Sequence, residues 1–299
     1  MTEQETYPEI SIILPTYNRS HFIIESIESV CKQTFTNWEL LVIDDQSTDN
    51  TAELVSGITD KRVVLHKTIT RLGITGTRNE GLRKANGNIV AFIDSDDLWA
   101  PGKLEKQVNA LEQYPDAGFC FTGGFNFKTL NEPLEFFYQA KEGLRYGDLF
   151  LSFFKAEIAA TTPSFIFRKK YLEEIGFFNK EKSFADIDFI LRLAMVTKGI
   201  ILYEPLFYRR LHDSNISNKE WEKGSQEGIE LLKAYKENLP LPVVRNAFFK
   251  RYIQFGEKYL KHHKNSQAIG KFLKAWPYKP LSIVPAKKIT KAILYSLIK

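Results

Sequence analysis

The chain has 299 residues, of which 43% are hydrophobic and 26% are charged, so its composition is that of a globular protein and excludes a disordered or fibrous chain. Its length accommodates one large α/β domain with an appendage. No apolar run approaches the ~18 residues of a membrane span, and the polar, acidic residues 1–6 lack the features of a signal peptide. We therefore expect a cytoplasmic protein.

The net charge of +5 hides an uneven distribution. Residues 240–299 hold 13 of the 41 lysines and arginines but only one acid, Glu257. Residues 1–239 are left with 28 basic and 35 acidic side chains. The basic character therefore belongs to the C-terminal region, while the rest of the chain is acidic.

The sequence contains two cysteines, Cys31 in a predicted helix and Cys120 in a predicted strand. Nothing in their spacing supports a disulfide or a metal-binding pair. We expect two buried, reduced thiols.

Apolar runs and helix-spaced apolar residues alternate along the first 93 residues. A run without alternating polar residues is typical of a strand buried on both faces, and apolar residues three and four apart are typical of a helix face. Strands are predicted at 10–14, 40–43, 63–66 and 89–93, and helices at 23–31, 51–56 and 77–85. Ser20 is the candidate N-cap of the first helix, and residues 68–76 are expected to form a loop. This alternation predicts a doubly wound, mostly parallel sheet flanked by helices.

The later part of the chain mixes strands and helices before it becomes purely helical. A helix with Leu104 on its apolar face precedes a strand predicted at 117–121 and expected to end at Thr122-Gly-Gly124. Residues 125–160 form a variable region without a clear period. Further strands are predicted at 164–168, 200–203 and 206–211, and further helices before Gly176 and at 186–195. Beyond residue 213 only helices are predicted. We therefore divide the chain into residues 1–215 and 216–299.

Three carboxylates, Asp94, Asp96 and Asp97, follow the most apolar of the predicted strands. Like charges about 4 Å apart repel by about 4 kcal/mol at an effective dielectric constant near 20, and a divalent cation converts this repulsion into attraction. In an extended chain Asp94 and Asp96 point the same way. Ligands of open α/β sheets bind beyond the carboxyl ends of the strands, where these acids lie. The pattern predicts that Asp-Ser-Asp holds a metal bound to a diphosphate.

Five motifs occur in one order, each at the end of a predicted strand or the start of a helix. They are Ser-Ile-Ile-Leu-Pro-Thr-Tyr-Asn at 11–18, Leu-Val-Ile-Asp-Asp at 41–45, Gly-Thr-Arg-Asn-Glu-Gly at 76–81, Ala-Phe-Ile-Asp-Ser-Asp-Asp at 91–97 and Asp-Ile-Asp-Phe-Ile-Leu-Arg-Leu at 186–193. Their order resembles that of family 2 glycosyltransferases with the GT-A fold, over roughly residues 10–213. The resemblance implies a GT-A type sheet with the C-terminal helices as an appendage.

The resemblance implies a nucleotide-sugar site at the first two motifs. Pro15, Thr16 and Tyr17 would line the base and ribose pocket, and Asp45 would accept a hydrogen bond from the base, usually uracil. An ordinary turn at 15–17 is the alternative. The absence of glycine there argues against a dinucleotide fingerprint or a phosphate loop. Capping of the helix at 51–56 is assigned to Asp49 instead of Asp45.

Further nucleotide contacts are implied at the third and fourth motifs. Arg78 and Asn79 would reach toward the nucleotide, although an arginine on a helix surface is more often merely solvated. Asp94 would bind the ribose or a metal-bound water, and Ser95 belongs to the same segment.

The resemblance assigns Asp96, with Asp94, to a Mn2+ or Mg2+ ion. His212 would help to hold the metal or the diphosphate. Both ions favour oxygen ligands and leave positions for water and phosphate. The alternatives are structural acids at a turn and a surface histidine. Asp97 is expected to be a cap or to support the ligands.

The resemblance places the general base at Asp186, with Ala185 where a glutamate is common. Asp188 is the alternative, and negative charge in a first helical turn is favourable in itself. Asp186 would take the proton of the acceptor hydroxyl as that oxygen attacks the anomeric carbon. A single displacement would invert the configuration.

The predicted function is that of an inverting glycosyltransferase of the hexosyltransferase type, with a UDP-sugar as the favoured donor. The acceptor would be a saccharide or lipid-linked saccharide in surface polysaccharide or glycolipid synthesis. A phosphatase of the haloacid dehalogenase type also carries Asp-x-Asp after a strand, but Leu98 stands where that class has Thr or Val. The other alternative is a module that binds nucleotide without turnover.

The C-terminal region has two interpretations. Residues 287–299 predict a basic amphipathic helix with Ile289, Ile293 and Leu297 on one stripe, which would either lie on the anionic inner face of the cell membrane or pack on the protein itself. Removal of residues 281–299 is expected to release a membrane-bound protein. The aromatic residues from Phe248 to Tyr259 recur at helical spacing, which predicts core packing and not nucleic-acid binding.

Overall fold

The computed structural model describes residues 8–129, 135–136, 142–158, 161–182, 185–212, 215, 220–237 and 239–297. The chain divides into two compact units, one of Met1–Phe153 with Ile158–His212 and the other of Phe154–Glu157 with Asp213–Lys299. Residues 130–134, 137–141 and 159–160 of the predicted variable region and residues 216–218 of the predicted boundary lie outside the described residues. None of the helices that the structure describes combines the length and the apolar character needed to cross a membrane.

The first unit contains a mixed sheet of ten described strands. They are β1 (Ile10–Thr16), β2 (Trp38–Asp44), β3 (Val63–Lys67), β4 (Ile89–Phe92), β5 (Leu98–Trp99), β6 (Ala117–Phe127), β7 (Glu135–Phe136), β8 (Leu144–Gly147), β9 (Phe165–Arg168) and β10 (Lys198–Arg210). The order is β3-β2-β1-β4-β9-β6-β10-β5, with β7 paired to β6 and β8 to β10. Strands β3, β2, β1 and β4 are parallel, β9 is antiparallel to both its neighbours, and β10 is parallel to β6.

Helices flank this sheet. They are α1 (Ile23–Cys31), α2 (Thr51–Ser56), α3 (Gly73–Lys84), α4 (Lys103–Gln113), α5 (Phe150–Phe154), α6 (Leu172–Ile175) and α7 (Ala185–Val196). The apolar residues of β1, β2 and β4 are buried with those of α1 and α4 in one core. The predicted α/β architecture with flanking helices is confirmed. The sheet is not mostly parallel as predicted, because five of the nine pairings among the described strands are antiparallel. Cys120 lies buried in this sheet, whereas Cys31 is half-buried, and both are free thiols.

Four local predictions were wrong. Ser20 does not cap α1, which begins at Ile23 after a turn without a side-chain cap. Helix α3 begins at Gly73 and not at residue 77. β6 continues through Gly124, where a Cβ atom would lie 2.3 Å from the ring of Phe207, so the glycine allows close packing instead of ending the strand. The two strands predicted after residue 200 are the single bulged strand β10.

The second unit is helical, as its sequence predicts. Its helices are α8 (Trp221–Tyr235), α9 (Leu241–Lys261), α10 (Asn265–Ala275) and α11 (Val284–Leu297). Phe248, Phe255 and Tyr259 of α9 are buried, and the ring of Phe248 stacks on Tyr278. The helix-spaced aromatic residues therefore form a core. The side chain of Leu297 and residues 298–299 lie outside the described part.

Candidate active site

The predicted nucleotide-site segments meet at one edge of the sheet. β1, β2 and β4 run parallel, with Thr16 opposite Asp44 and Ile13 opposite Phe92. Their carboxyl ends therefore bring the motifs that follow them to the same edge. This is the position at which ligands bind in open α/β sheets.

The end of β1 is buried except for its aromatic residue. Pro15 and Thr16 are buried, and Thr16 Oγ1 has no hydrogen-bond partner among the described residues. Tyr17 is exposed over 38% of its surface. The guanidinium carbon of Arg71 lies 3.2 Å from the centroid of the Tyr17 ring. Arg71 was not among the predicted site residues because a single loop arginine carries no recognisable pattern.

The carboxylate of Asp45 accepts hydrogen bonds from several donors. Its Oδ1 accepts from Leu72 N at 2.7 Å, and its Oδ2 accepts from Gly73 N at 2.9 Å. Thr68 Oγ1 donates to Oδ1 at 3.2 Å, and Arg71 Nε lies 3.3 Å from Oδ2. Because Asp45 satisfies the first amides of α3, the helix begins earlier than its own sequence predicts.

The predicted capping residue of α2 behaves as expected. Asp49 Oδ1 accepts from Thr51 N at 3.0 Å and from Thr51 Oγ1 at 2.5 Å. Its Oδ2 accepts from Ser20 N at 3.2 Å. Asp49 therefore joins the start of α2 to the turn before α1.

Arg78 and Asp94 form an ion pair, with 2.8 Å between Nη2 and Oδ1. The same Nη2 donates to Thr162 Oγ1 at 2.8 Å. Arg78 Nε is buried and has no hydrogen-bond partner among the described residues. A buried guanidinium with an unused donor is suited to an anionic ligand. Ser95 is buried beside Asp94.

The side chain of Asn79 is held by hydrogen bonds to the backbone of a neighbouring segment. It is buried, its Nδ2 donates to Phe178 O, and its Oδ1 accepts from Phe178 N, each at 2.9 Å. This pair of bonds fixes the segment before α7 to α3. Both ends of the Asn79 amide are thereby engaged with backbone.

Asp96 lies between two nitrogen-bearing side chains. Its Oδ2 is 2.9 Å from His212 Nε2 and 3.6 Å from Arg19 Nε. The contact between Asp96 and His212 is a hydrogen bond, and a carboxylate and an imidazole are both groups that can bind a divalent cation. Within the described ranges no set of three or more His, Cys, Asp and Glu residues converges on one ion. Further ligands would come from diphosphate and water.

Strand β5, which the sequence pattern missed, brings Asp96 to His212. Leu98 pairs with Tyr208 and Trp99 with Phe207 of β10, four and five residues before the histidine. Asp97 Oδ1 accepts from Arg210 N at 2.9 Å, and Arg210 Nε donates to Asp96 O at 3.0 Å. Asp97 is therefore a supporting residue and not a helix cap. Burial raises its pKa well above the ordinary value, and the neighbouring acids add to that rise.

Asp186 and Asp188 open α7 with different surroundings. Asp188 is buried and pairs with Lys182 Nζ at 2.9 Å and Arg192 Nε at 3.1 Å. Asp186 is half-buried, and its Oδ1 accepts from Ile187 N at 3.0 Å. Burial raises the pKa of Asp186, while the charge of Arg78 opposes this rise. Asp188 is thus the centre of two ion pairs.

Solved structures share this architecture. The crystal structure of S. aureus TarS 1–349 in complex with UDP-GlcNAc aligns with a TM-score of 0.66 at 19% identity, over 95% of this chain and 89% of that one. The mannosyltransferase PcManGT from Pyrobaculum calidifontis, in complex with GDP-Man and Mn2+, gives 0.63 at 19% identity, over 98% and 81%. The fold, with acids at the carboxyl ends of its parallel strands, is that of the GT-A glycosyltransferases.

The chain belongs to glycosyl transferase family 2, whose model matches residues 11–176. It is 32% identical over 220 residues to the putative teichuronic acid biosynthesis glycosyltransferase TuaG of Bacillus subtilis, across 72% of this chain and 84% of TuaG. It is 48% identical over 102 residues to WfgD of Escherichia coli, named a UDP-Glc:alpha-D-GlcNAc-diphosphoundecaprenol beta-1,3-glucosyltransferase. That match spans 34% of this chain and 40% of WfgD. The resemblance drawn from the five motifs is thereby confirmed.

Proposed function

We propose that the protein transfers a hexose from a nucleoside diphosphate sugar, with UDP as the favoured nucleotide, to a hydroxyl of a surface polysaccharide or glycolipid precursor. The observation that carries this proposal is the meeting of Asp45, Arg78 and Asp96 at one edge of the sheet in a family 2 glycosyltransferase. A nucleotide-sugar donor requires a hydrogen-bond acceptor for its nucleobase, a cation that binds its phosphates and an acid that binds the metal. Family membership disfavours the phosphatase alternative.

Pro15, Thr16, Tyr17 and Asp45 would form the base and ribose side of the donor site. Thr16 Oγ1 has an unused hydrogen bond, and Tyr17 offers an aromatic face. Asp45 also caps α3, so its carboxylate would exchange one of its present partners for the base. Arg71, exposed over 49% of its side chain, is the partner that such an exchange displaces most readily.

Arg78, Asp94 and Ser95 would lie along the ribose and diphosphate. The unpartnered Nε of Arg78 supports this placement. We assign Asn79 to positioning of the neighbouring segment, because both ends of its amide bond to Phe178. It would affect the donor through the orientation of Arg78, which precedes it in α3.

Asp96 and His212, with Asp94 nearby in sequence, would hold a Mn2+ or Mg2+ ion. The ion would supply neutralisation of the negative charge that develops on the leaving diphosphate. Arg19 would assist, since its guanidinium lies beside the same carboxylate. The structure of PcManGT, which shares this fold, is a complex with GDP-Man and Mn2+.

Asp186 would accept the proton of the attacking hydroxyl. Its burial keeps it a better base than an exposed aspartate, and Asp188 is unsuited because two cations hold it. Attack from the face opposite the diphosphate would invert the anomeric configuration in one step. The hydroxyl oxygen forms the new glycosidic bond as the bond to the diphosphate oxygen breaks.

The acceptor would be a lipid-linked saccharide. WfgD is named for a diphosphoundecaprenol acceptor and TuaG for teichuronic acid synthesis. We therefore propose that the protein works in the cytoplasm at the inner face of the cell membrane, attached peripherally through its basic C-terminal region.

A thermal-shift screen of nucleotides with Mn2+ tests the donor. A ligand at a hundred times its dissociation constant adds about 2.7 kcal/mol to the free energy of unfolding, which raises the melting temperature by several degrees. We expect UDP and UDP-sugars to stabilise the protein and GDP, CDP and ADP to do so much less. Absence of a shift with every nucleoside diphosphate would refute the proposal, and stabilisation by GDP alone would refute the choice of base.

A further inference from the structure

The C-terminal unit presents an apolar turn between α10 and α11. Leu281 is fully exposed, and Ile283 and Val284 are exposed over 62% and 37% of their surfaces. Three apolar residues within four positions form a cluster and not a scattered set of surface side chains. We define residues 279–284 as the apolar turn.

Hydrogen bonds, and not burial of its own apolar side chains, hold this turn. Trp276 Nε1 donates to Pro280 O, and Ser282 N donates to Lys279 O, both at 3.0 Å. The preceding Tyr278 stacks on Phe248, with ring centroids 5.1 Å apart and an interplanar angle of 7°. These contacts hold the turn in a conformation in which the side chain of Leu281 is exposed to solvent.

Helix α11 is docked within the C-terminal unit. Ala292 is fully buried, Lys288 pairs with Glu257, and Asn265 Nδ2 donates to Ser296 Oγ at 3.1 Å. The helix therefore packs through the face that carries Ala292, whereas Ile293 of the predicted stripe is exposed over 48% of its surface. The apolar turn is more exposed than the predicted stripe, since Leu281 and Ile283 are exposed over 100% and 62% of their surfaces and Ile293 over 48%. The turn is therefore the better candidate for outside contact.

The sequence on both sides of the apolar turn is basic. Residues 258–299 contain no Asp or Glu, and Glu257 before them is neutralised by Lys288. Lys274, Lys279 and Lys287 are exposed on either side of Leu281. Long lysine side chains reach anionic headgroups while neighbouring apolar side chains enter the acyl region. This combination fits an anionic bilayer.

We propose that the apolar turn inserts into an anionic lipid surface, with Leu281 and Ile283 as the inserted side chains and the flanking lysines on the headgroups. The proposal deepens the proposed function, because a lipid-linked acceptor requires an enzyme at the membrane. It identifies the turn, and not the stripe of the last helix, as the attachment site.

Co-sedimentation of the full chain with vesicles tests this proposal without any nucleotide. We expect binding to vesicles of phosphatidylglycerol and phosphatidylcholine, weaker binding in high salt, and little binding to phosphatidylcholine alone. Leu281→Ser with Ile283→Ser should reduce the partition coefficient by about tenfold or more, because two apolar side chains no longer enter the bilayer. Met195→Ser, at a 60% exposed apolar residue of the catalytic unit, should leave it unchanged.

Circular dichroism and thermal melting establish whether the variants are folded. If the double variant does not fold, the single variant Leu281→Ser replaces it in the vesicle assay. The proposal is overturned if the wild type stays in solution with anionic vesicles, if it binds neutral vesicles equally well, or if the turn variants bind like the wild type. Vesicle binding and nucleotide binding are measured in separate assays, so a failure of this proposal can be distinguished from a failure of the proposed function.

Discussion

At the scale of single residues, the site separates two aspartates that the sequence places two positions apart. Asp188 is held by Lys182 and Arg192, whereas Asp186 has a raised pKa and no ion pair within 4 Å among the described residues. The two neighbouring acids thus have different electrostatic surroundings.

Asp186→Asn should lower the transfer rate by about 10²- to 10⁴-fold, the usual contribution of a general base, and leave UDP binding unchanged. Asp188→Asn should instead lower the melting temperature, because it leaves two cations without their buried partner. Transfer by Asp186→Asn at the wild-type rate would remove Asp186 from its assigned role. If the wild type itself transfers sugar to no acceptor, the result favours the alternative function, a module that binds nucleotide without turnover.

We expect the raised pKa of Asp186 to determine the acid limb of the pH profile of transfer. A base must be deprotonated, so kcat/KM should fall as the pH is lowered through the pKa of Asp186, at a higher pH than for an exposed aspartate. Arg78→Gln removes the charge that opposes this rise and should move the acid limb to still higher pH. An acid limb at the same pH in both proteins would contradict this assignment.

At the scale of elements, close helix packing in the C-terminal unit depends on one glycine. A Cβ atom at Gly256 of α9 would lie 2.3 Å from the ring of Phe272 in α10, whereas one at Gly270 would meet nothing within 4 Å. The two positions therefore form a matched pair within one helical unit.

Gly256→Ala should lower the free energy of unfolding by about 1–2 kcal/mol, since overpacking exceeds the gain in helix propensity. Gly270→Ala should raise it by about 0.5–1 kcal/mol through propensity alone. Urea denaturation measures both. Equal effects of the two substitutions would show that α9 and α10 do not pack as described.

The elements that could be predicted were those whose own residues determine them. The apolar runs of β1, β2 and β4 are buried on both faces, so composition alone indicates them. The start of α3 could not be predicted because its cap, Asp45, lies 28 residues before Gly73. Strand β5 has two residues, and its existence depends on pairing with β10.

The same reasoning applies to the candidate site. Residues that follow buried strands, such as Asp45 and Asp96, could be found because strand ends are readable in a sequence. Arg19 and Arg71 could not, because their positions beside those acids depend on loop conformations. Asn79 resembles a nucleotide contact in its motif, but only the fold reveals its bonds to the backbone of Phe178.

At the scale of the whole molecule, the two proposed functions belong to different units: donor binding to the sheet edge and membrane binding to the C-terminal unit. The first unit carries the acids and arginines suited to a nucleotide sugar, and the second carries the basic surface suited to a membrane. Each unit can be tested by its own assay, with soluble nucleotide for one and vesicles for the other.

The most direct test of the donor site is calorimetric titration of UDP with and without Mn2+. In the wild type Mn2+ should tighten UDP binding by about tenfold or more, equivalent to about 1.4 kcal/mol. Asp96→Asn should abolish most of that gain, while Asp116→Asn, at an exposed acid in the loop between α4 and β6, should retain it. UDP binding that Mn2+ does not strengthen in the wild type, or a full gain in Asp96→Asn, would contradict the assignment of Asp96 to the metal.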